Sequence, residues 1–531
     1  MFKKMVCFLV MLVSVFITSP AISSITEVSV TDNQTVVDAF ERYTVTGITT
    51  PLPDRETPGA VDVPGFQGVA YVTIGDLNGD GIKEIVATSG GGSDLDLQTA
   101  NSAVAVYTWD GSDLSTWSES VINETFAFAN ETIFRDMDED DDTDIMVLDN
   151  FIIPVNNAGI YYLENQGGDI TKPANWIKKT IYKGNNTLKG KASYHRAIFF
   201  DADNDGDEDF VTSRFSLLRW MFGFRAMWTE LFINEGNGTF EGPYDIGDGA
   251  GFLFQMYDLD ADGDLDIVAP QFLVHGAFLF NVFGSELFHS FRGDSLMWFE
   301  NPGPGFGLLW PWKRHTINNQ YLSDKPLGRT FDVQLEDLQD DGKMDMFVST
   351  HNHQGCVNNK RFWPAGIYLF EVPGDPMNTD AWVPVMIDQG DPDLDPENKT
   401  AVAQDLYATD RPGSPYTQGA PGKFIVKDLN DDGLKDLVVA GDGKGALYYY
   451  RNDGVSGTTL NLSRGALYID RACMAAEVKT DDIDGDGIPE IIAPVYDTSI
   501  VIKTEDNPAT EIDESDIETK SSSIFIFHLK E

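Results

Sequence analysis

Short runs of alternating apolar and polar residues recur along the chain, and each run ends in a knot of acidic side chains. Val69-Ala70-Tyr71-Val72-Thr73-Ile74 is one such run, with the period of two that marks a strand facing two environments. Beyond each acidic knot stands a second, more continuously apolar run: Ile85-Val86-Ala87, Ile145-Met146-Val147, Ile491-Ile492-Ala493. A third run is rich in aromatics, as in Ala103-Val104-Ala105-Val106-Tyr107, Ile160-Tyr161-Tyr162-Leu163 and Leu296-Met297-Trp298-Phe299. A fourth often opens on tryptophan, at Trp176, Trp312 and Trp382. The pattern predicts repeated four-stranded units whose first two strands are joined through the acidic knot.

The knots share one register. They begin at Asp76, Asp136, Asp201, Asp258, Asp337, Asp428 and Asp482, and an oxygen-bearing side chain returns at positions 1, 3, 5 and 9. The predicted ligand sets are Asp76, Asn78, Asp80 and Glu84; Asp136, Asp138, Asp140 and Asp144; Asp201, Asp203, Asp205 and Asp209; and Asp258, Asp260, Asp262 and Asp266. They continue with Asp337, Gln339, Asp341 and Asp345; Asp428, Asn430, Asp432 and Asp436; and Asp482, Asp484, Asp486 and Glu490. A hard cation takes six to eight oxygens, and a tight loop that aims alternate side chains and a carbonyl at one point suits calcium, up to seven ions in all. Units 3, 4 and 7 have full acidic sets, whereas unit 5, with Gln339 and Lys343, is the weakest candidate. Unit 2 replaces the turn glycine by Asp141, a residue type that enters the left-handed region more readily than most. An EF-hand is excluded, because position 12 is Ala87, Val147, Thr212, Ala269, Val348, Val439 or Ala493 and not a bidentate glutamate. Such saturated loops are read as structural, without an open position for substrate.

Loop starts lie 60, 65, 57, 79, 91 and 54 residues apart, room for four strands per unit, and four-stranded sheets repeated about an axis make a β-propeller. The fold class expected is all-β: a seven-bladed propeller with cation loops between the first and second strands of each blade. The seventh unit offers only three strands before Glu531, while residues 40–48 form an orphan strand ahead of the first unit. That N-terminal strand is expected to complete the last blade and close the ring. This pattern resembles the FG-GAP or VCBS repeat family, best known from the integrin alpha head, over roughly residues 40–531. The resemblance implies propeller and metal; the family includes adhesion modules, glycan binders and the propeller parts of polysaccharide lyases and sugar dehydratases, so activity stays open.

Residues 1–23 read as a secretory signal, with Lys3 and Lys4, an apolar core from Met5 to Ile17 and Ala21-Ile22-Ser23 before the cut. Residues 24–39 would form an N-terminal extension and residues 40–531 a single propeller domain, in a secreted, extracellular or periplasmic protein. Cys356 and Cys473 fall in units that do not adjoin and are read as two thiols, not a disulfide scaffold. Net charge is -48, and 33 of the 85 acidic residues lie in the nine-residue loops. That field disfavours nucleic acid and anionic membrane.

The long connections, 215–229, 271–295, 349–365, 389–422 and 496–521, all belong to the end of the ring opposite the acidic loops. Function is therefore expected on that face, as binding of a carbohydrate or an extracellular protein. The rival is a lyase or dehydratase acting on a sugar acid, with Tyr194, His195, Arg196, His351 and His353 as candidate catalytic residues. Arg214, Arg219, Arg225 and Arg361, with His275 and His289, are placed in the same connections. The apolar inserts 215–229 and 271–295 can cap the central channel or serve as an oligomer or partner interface; net charge argues against membrane contact.

Overall fold

The computed structural model describes residues 24–45, 69–89, 102–126, 128–149, 159–183, 193–216, 226–236, 238–249, 253–272, 294–305, 307–319, 322–350, 365–389, 420–442, 445–470, 473–475, 477–497 and 523–530. The signal segment, Cys356, and the greater part of each long connection lie outside them. Strands pair into seven separate sheets, with almost no helix. The blades span residues 69–126, 129–183, 193–247, 255–319, 330–389, 420–470 and 473–529, and are called blades 1 to 7. Within each, consecutive strands pair antiparallel, as the sequence predicts.

Seven apolar clusters hold the sheets together, and each is shared by two neighbours. Val86, Val104, Ile145 and Leu163 join blades 1 and 2, for example, while Val45, Ile85, Ile492 and Ile526 join blades 7 and 1. Because every sheet is covered on both faces, its second strand is buried along its whole length, as in Asp144–Asp149 and Asp345–Thr350. This is why those runs are continuously apolar and the first strands alternate. Trp176, Trp312 and Trp382 close the outer core, each donating its indole N–H to a backbone carbonyl four to six residues earlier at 2.9–3.0 Å.

Two N-terminal strands are shared out to the last blades. Strand β2 (Phe40–Val45) pairs antiparallel with Ser523–Leu529, so blade 7 takes its outer strand from the start of the chain. Strand β1 (Glu27–Asp32) pairs parallel with Thr459–Arg464 as a fifth strand of blade 6. The segment read from sequence as an extension ahead of the ring is thus part of a sheet, and Ile25 is buried in the core between blades 5 and 6. Its apolar residues, Val28 and Val30, are too few to have signalled a strand by themselves.

Candidate metal loops and the opposite face

The seven acidic loops share one backbone course. In loops 1 to 5 the position 1 carboxylate accepts the backbone N–H groups of positions 5 and 6, as Asp258 does from Asp262 and Gly263, both at 3.1 Å; in loops 6 and 7 it keeps the position 6 N–H, and position 5 donates to the position 3 side chain. The position 9 carboxylate accepts the N–H of position 2 in every loop, from 2.7 Å at Glu490 to 3.3 Å at Asp436. Positions 4 and 6 are both left-handed throughout. Position 6 is glycine except for Asp141 (φ 71°), while position 4 holds Glu139, Asn204, Ala261, Asp340 and Asp431 besides two glycines. For alanine this costs about 1–2 kcal/mol, so the side-chain bonds of the loop outweigh a local penalty at Ala261.

The donor sets suit a divalent cation. In loops 2, 3, 4 and 7 three carboxylates bring one oxygen each within 4.8 Å of one another. Among the described residues loops 1, 5 and 6 form no such group. In loop 5, the weakest from sequence, Lys343 reaches Asp341 at 3.9 Å and Glu371 at 3.1 Å. The position 3 oxygens Asp138 Oδ1, Asp260 Oδ1 and Gln339 Oε1 are buried without a protein partner, as a cation's ligands would be. Burial pushes the position 9 carboxyls up, to about 7 for Glu84, Asp144, Asp266, Asp345 and Asp436 and about 6 for Asp209. A bound divalent ion would offset that cost.

Two supports of the loops were missed in the sequence. Asn165, Asn234, Asn301 and Asn452, in or just after third strands, donate a backbone N–H to the position 9 carboxylate at 2.7–2.8 Å and a side-chain N–H to the carbonyl of position 8. Each also accepts the N–H of a glycine two residues on, so the recurring Asn-x-Gly was a readable signal. The strand register also places Glu164, Glu300, Glu371 and His528 beside Asp144, Asp266, Asp345 and Glu490.

At the opposite end, Tyr194, His195 and Arg196 lie within the first strand of blade 3 and Arg214 within the second, not in connections as expected. A bulge between Tyr194 and Ala197, invisible to a period-two reading, carries His195 and Arg196. Tyr194, His195 and Arg214 are 0%, 4% and 1% exposed. Asn130 Nδ2 meets His195 Nδ1 at 2.9 Å, and Arg214 lies 3.7 Å from Glu230 and faces the Trp228 ring. His351, His353, His275, His289, Arg219, Arg225 and Arg361 lie outside the described residues.

The residue five places ahead of each loop forms a ring about the axis: Tyr71, Glu131, Arg196, Leu253, Asp332, Lys423 and Glu477. Glu131, Asp332 and Glu477 each accept a backbone N–H from the next blade, from Ala197 (3.2 Å), Phe424 (3.3 Å) and Val72 (2.8 Å). Lys423 Nζ reaches Glu477 at 2.5 Å and lies over the Tyr71 ring, and Arg196 stands 3.8 Å from Glu131. Burial pushes Asp332 up to about 6 although Arg196 and Lys423 pull it down. Burial also raises Glu477, but Lys423 and Lys479 outweigh it and hold the carboxyl below its ordinary range.

A cleft of about 560 Å³ opens between blades 3 and 4. Asp245, Asp248, Asp294, Arg314 and Thr316 line it, over Trp312 and Phe299. Arg314 is fixed by Asp294 Oδ2 and the Asp248 carbonyl, both at 2.6 Å, and Thr316 donates to Asp294 Oδ1 at 2.9 Å. Rigid polar groups over aromatic carbon are what a polyhydroxylated ligand needs.

Residues 428–493 match the model of an FG-GAP-like repeat, from the first residue of loop 6 to the strand after loop 7. With seven blades around it, that match bears out the FG-GAP/VCBS resemblance. No curated protein sequence matches the chain. Similar solved structures include an exotype rhamnogalacturonan lyase, YesX, with 14% identity, 92% of this chain and 76% of that one covered, and a TM-score of 0.43. An alpha-L-arabinofuranosidase from Fusarium graminearum has 8% identity, 88% and 97% coverage and a TM-score of 0.37. The BBS1N chain from a complex with ARL6DN has 10% identity, 89% and 95% coverage and a TM-score of 0.40. Likeness at this level carries no information on ligand.

Proposed function

We propose that this seven-bladed propeller, with its FG-GAP-like repeat, is an exported, calcium-stabilised recognition module that binds a carbohydrate or an extracellular protein on the face opposite the loops. The observation that carries the reading is the cleft between blades 3 and 4, where Arg314, Asp245 and Thr316 converge over aromatic side chains. The acidic loops take the complementary role. Their carboxylates turn inward on their own backbone, which suits a cation that stiffens a hairpin and takes no part in chemistry. Export rests on residues 1–23, and among the described residues no helix is long and apolar enough to cross a membrane.

The lyase or dehydratase reading draws on Tyr194, His195, Arg196 and Arg214, which share one end of blade 3. The burial of Tyr194, His195 and Arg214 counts against it, since a base must reach a substrate proton. Binding to a panel of labelled neutral and acidic glycans tests the proposal: Asp245→Asn and Arg314→Lys are expected to weaken binding at least tenfold at unchanged melting temperature. Retention of full affinity by both variants would remove the cleft from the reading. An unsaturated, ultraviolet-absorbing product lost in His195→Ala would put the lyase in its place.

A further inference from the structure

The loop of blade 7 differs from those of blades 2, 4 and 5 in one donor. The register that puts Glu164, Glu300 and Glu371 beside their position 9 carboxylates puts an imidazole, His528, beside Glu490. Its Nδ1 lies 2.9 Å from Glu490 Oε1 and 3.5 Å from Asp484 Oδ2, and the three donor atoms lie within 4.8 Å of one another. Asp484 also belongs to the group formed with Asp482 and Asp486, so nitrogen and oxygen donors meet around one loop. Glu490 is 1% exposed, and its other oxygen is fixed by the Ile483 N–H at 2.7 Å, which sets the carboxylate's orientation before any ion arrives.

Donor type decides which ion such a set prefers. Calcium is a hard cation that takes oxygen, whereas imidazole suits zinc, copper, iron and nickel. Donors held about 2.1 Å from a zinc-class ion at tetrahedral or octahedral angles stand roughly 3.0–3.4 Å apart, close to the two separations found here. The companion residues in other blades are committed elsewhere: Glu164 to Lys179 at 3.0 Å, Glu300 to Lys313 at 2.8 Å and Glu371 to Lys343 at 3.1 Å. Each of those lysines puts positive charge beside its loop, and His528 instead turns a ring nitrogen into it.

We propose that the seventh loop is a mixed nitrogen and oxygen site for a first-row transition metal of the zinc class, set apart from the all-oxygen loops by His528. The inference rests on the loops being cation sites, and it divides them into two classes. The test uses the whole protein, stripped by chelator and titrated with zinc alone in excess calcium, in parallel with His528→Gln and Asp484→Asn. One tight zinc equivalent is expected in the parent, weakened at least about tenfold in both variants, with the calcium stoichiometry of His528→Gln lowered by no more than one. Cobalt in place of zinc should give absorption bands in the parent that His528→Gln lacks. No zinc bound against excess calcium, or equal binding by His528→Gln, overturns the proposal, His528 then being an ion-pair partner of Glu490 alone. Zinc held through His528 in a protein that binds no calcium supports it and removes the calcium reading of the other loops.

Discussion

The two ends of the ring solve the same problem at different distances along the chain. In the acidic loops a carboxylate is satisfied within its own blade, by N–H groups four and five residues away at Asp258 and seven and 35 away at Asp266. In the axial ring the carboxylates of Glu131, Asp332 and Glu477 each take an N–H from another blade, 66, 92 and 405 residues away. The loops therefore repeat, because each must carry its own solution. The axial position does not repeat: Tyr71, Glu131, Arg196, Leu253, Asp332, Lys423 and Glu477 need only complement their neighbours. Variation at one structural position fixes which blade stands beside which, while repetition fixes what a blade is.

Removal of divalent metal breaks the comparison at the loop end. With loops bound at about 1,000 times their dissociation constants, each ion adds on the order of 4 kcal/mol, so chelation should lower the melting temperature by about 10 °C or more, and calcium should restore it. An unchanged melt after verified metal removal would refute a structural role for the loops. The axial end is broken by Lys423→Met, which leaves the buried Glu477 with only the more distant Lys479, at 3.6 Å; a loss of up to about 3–5 kcal/mol is expected in denaturant unfolding, with calcium unable to restore it.

How far the sequence could be read follows the same division. Loop register, blade period, the tryptophans and the placement of residues 40–45 in the last blade were legible because each is written within one repeat or in a shortfall of the repeat. The axial ring was illegible, since its residues look like isolated charges until seven strands converge. The bulges that carry His195 and Arg196 inward break the two-residue alternation and leave no mark of their own. Asn165, Asn234, Asn301 and Asn452 stand apart: their Asn-x-Gly recurrence was in plain view and went unread beside the louder acidic phrase.

A pH series sharpens the contrast. The position 9 carboxyls of the first six loops are pushed up to about 6 to 7 in the fold, above their ordinary values, so the folded protein holds their protons to higher pH than the unfolded chain does. Their stability is fully present below pH 4 and is lost as pH rises through 6 to 7. Metal-free protein should therefore melt lower at pH 8 than at pH 5, and calcium should remove most of the difference. Asp332 titrates in the same window at the axis, so Asp332→Asn should lessen the part that calcium leaves behind. The smallest effect expected is at Ala261, where glycine relieves a left-handed alanine. Ala261→Gly should stabilise the protein by about 1 kcal/mol, read from the denaturant midpoint, whereas Gly485→Ala should cost a similar amount.

Strands β1 and β2 give the ring a timetable. Residues 27–32 and 40–45 leave the ribosome before any blade exists, yet their partners, residues 459–464 and 523–529, follow only after five blades have been made. Five intervening blades can be assembled while these early segments wait, each with backbone groups that nothing has yet paired. The seam therefore joins an early segment to a far later one, and closing it is a step that synthesis itself postpones.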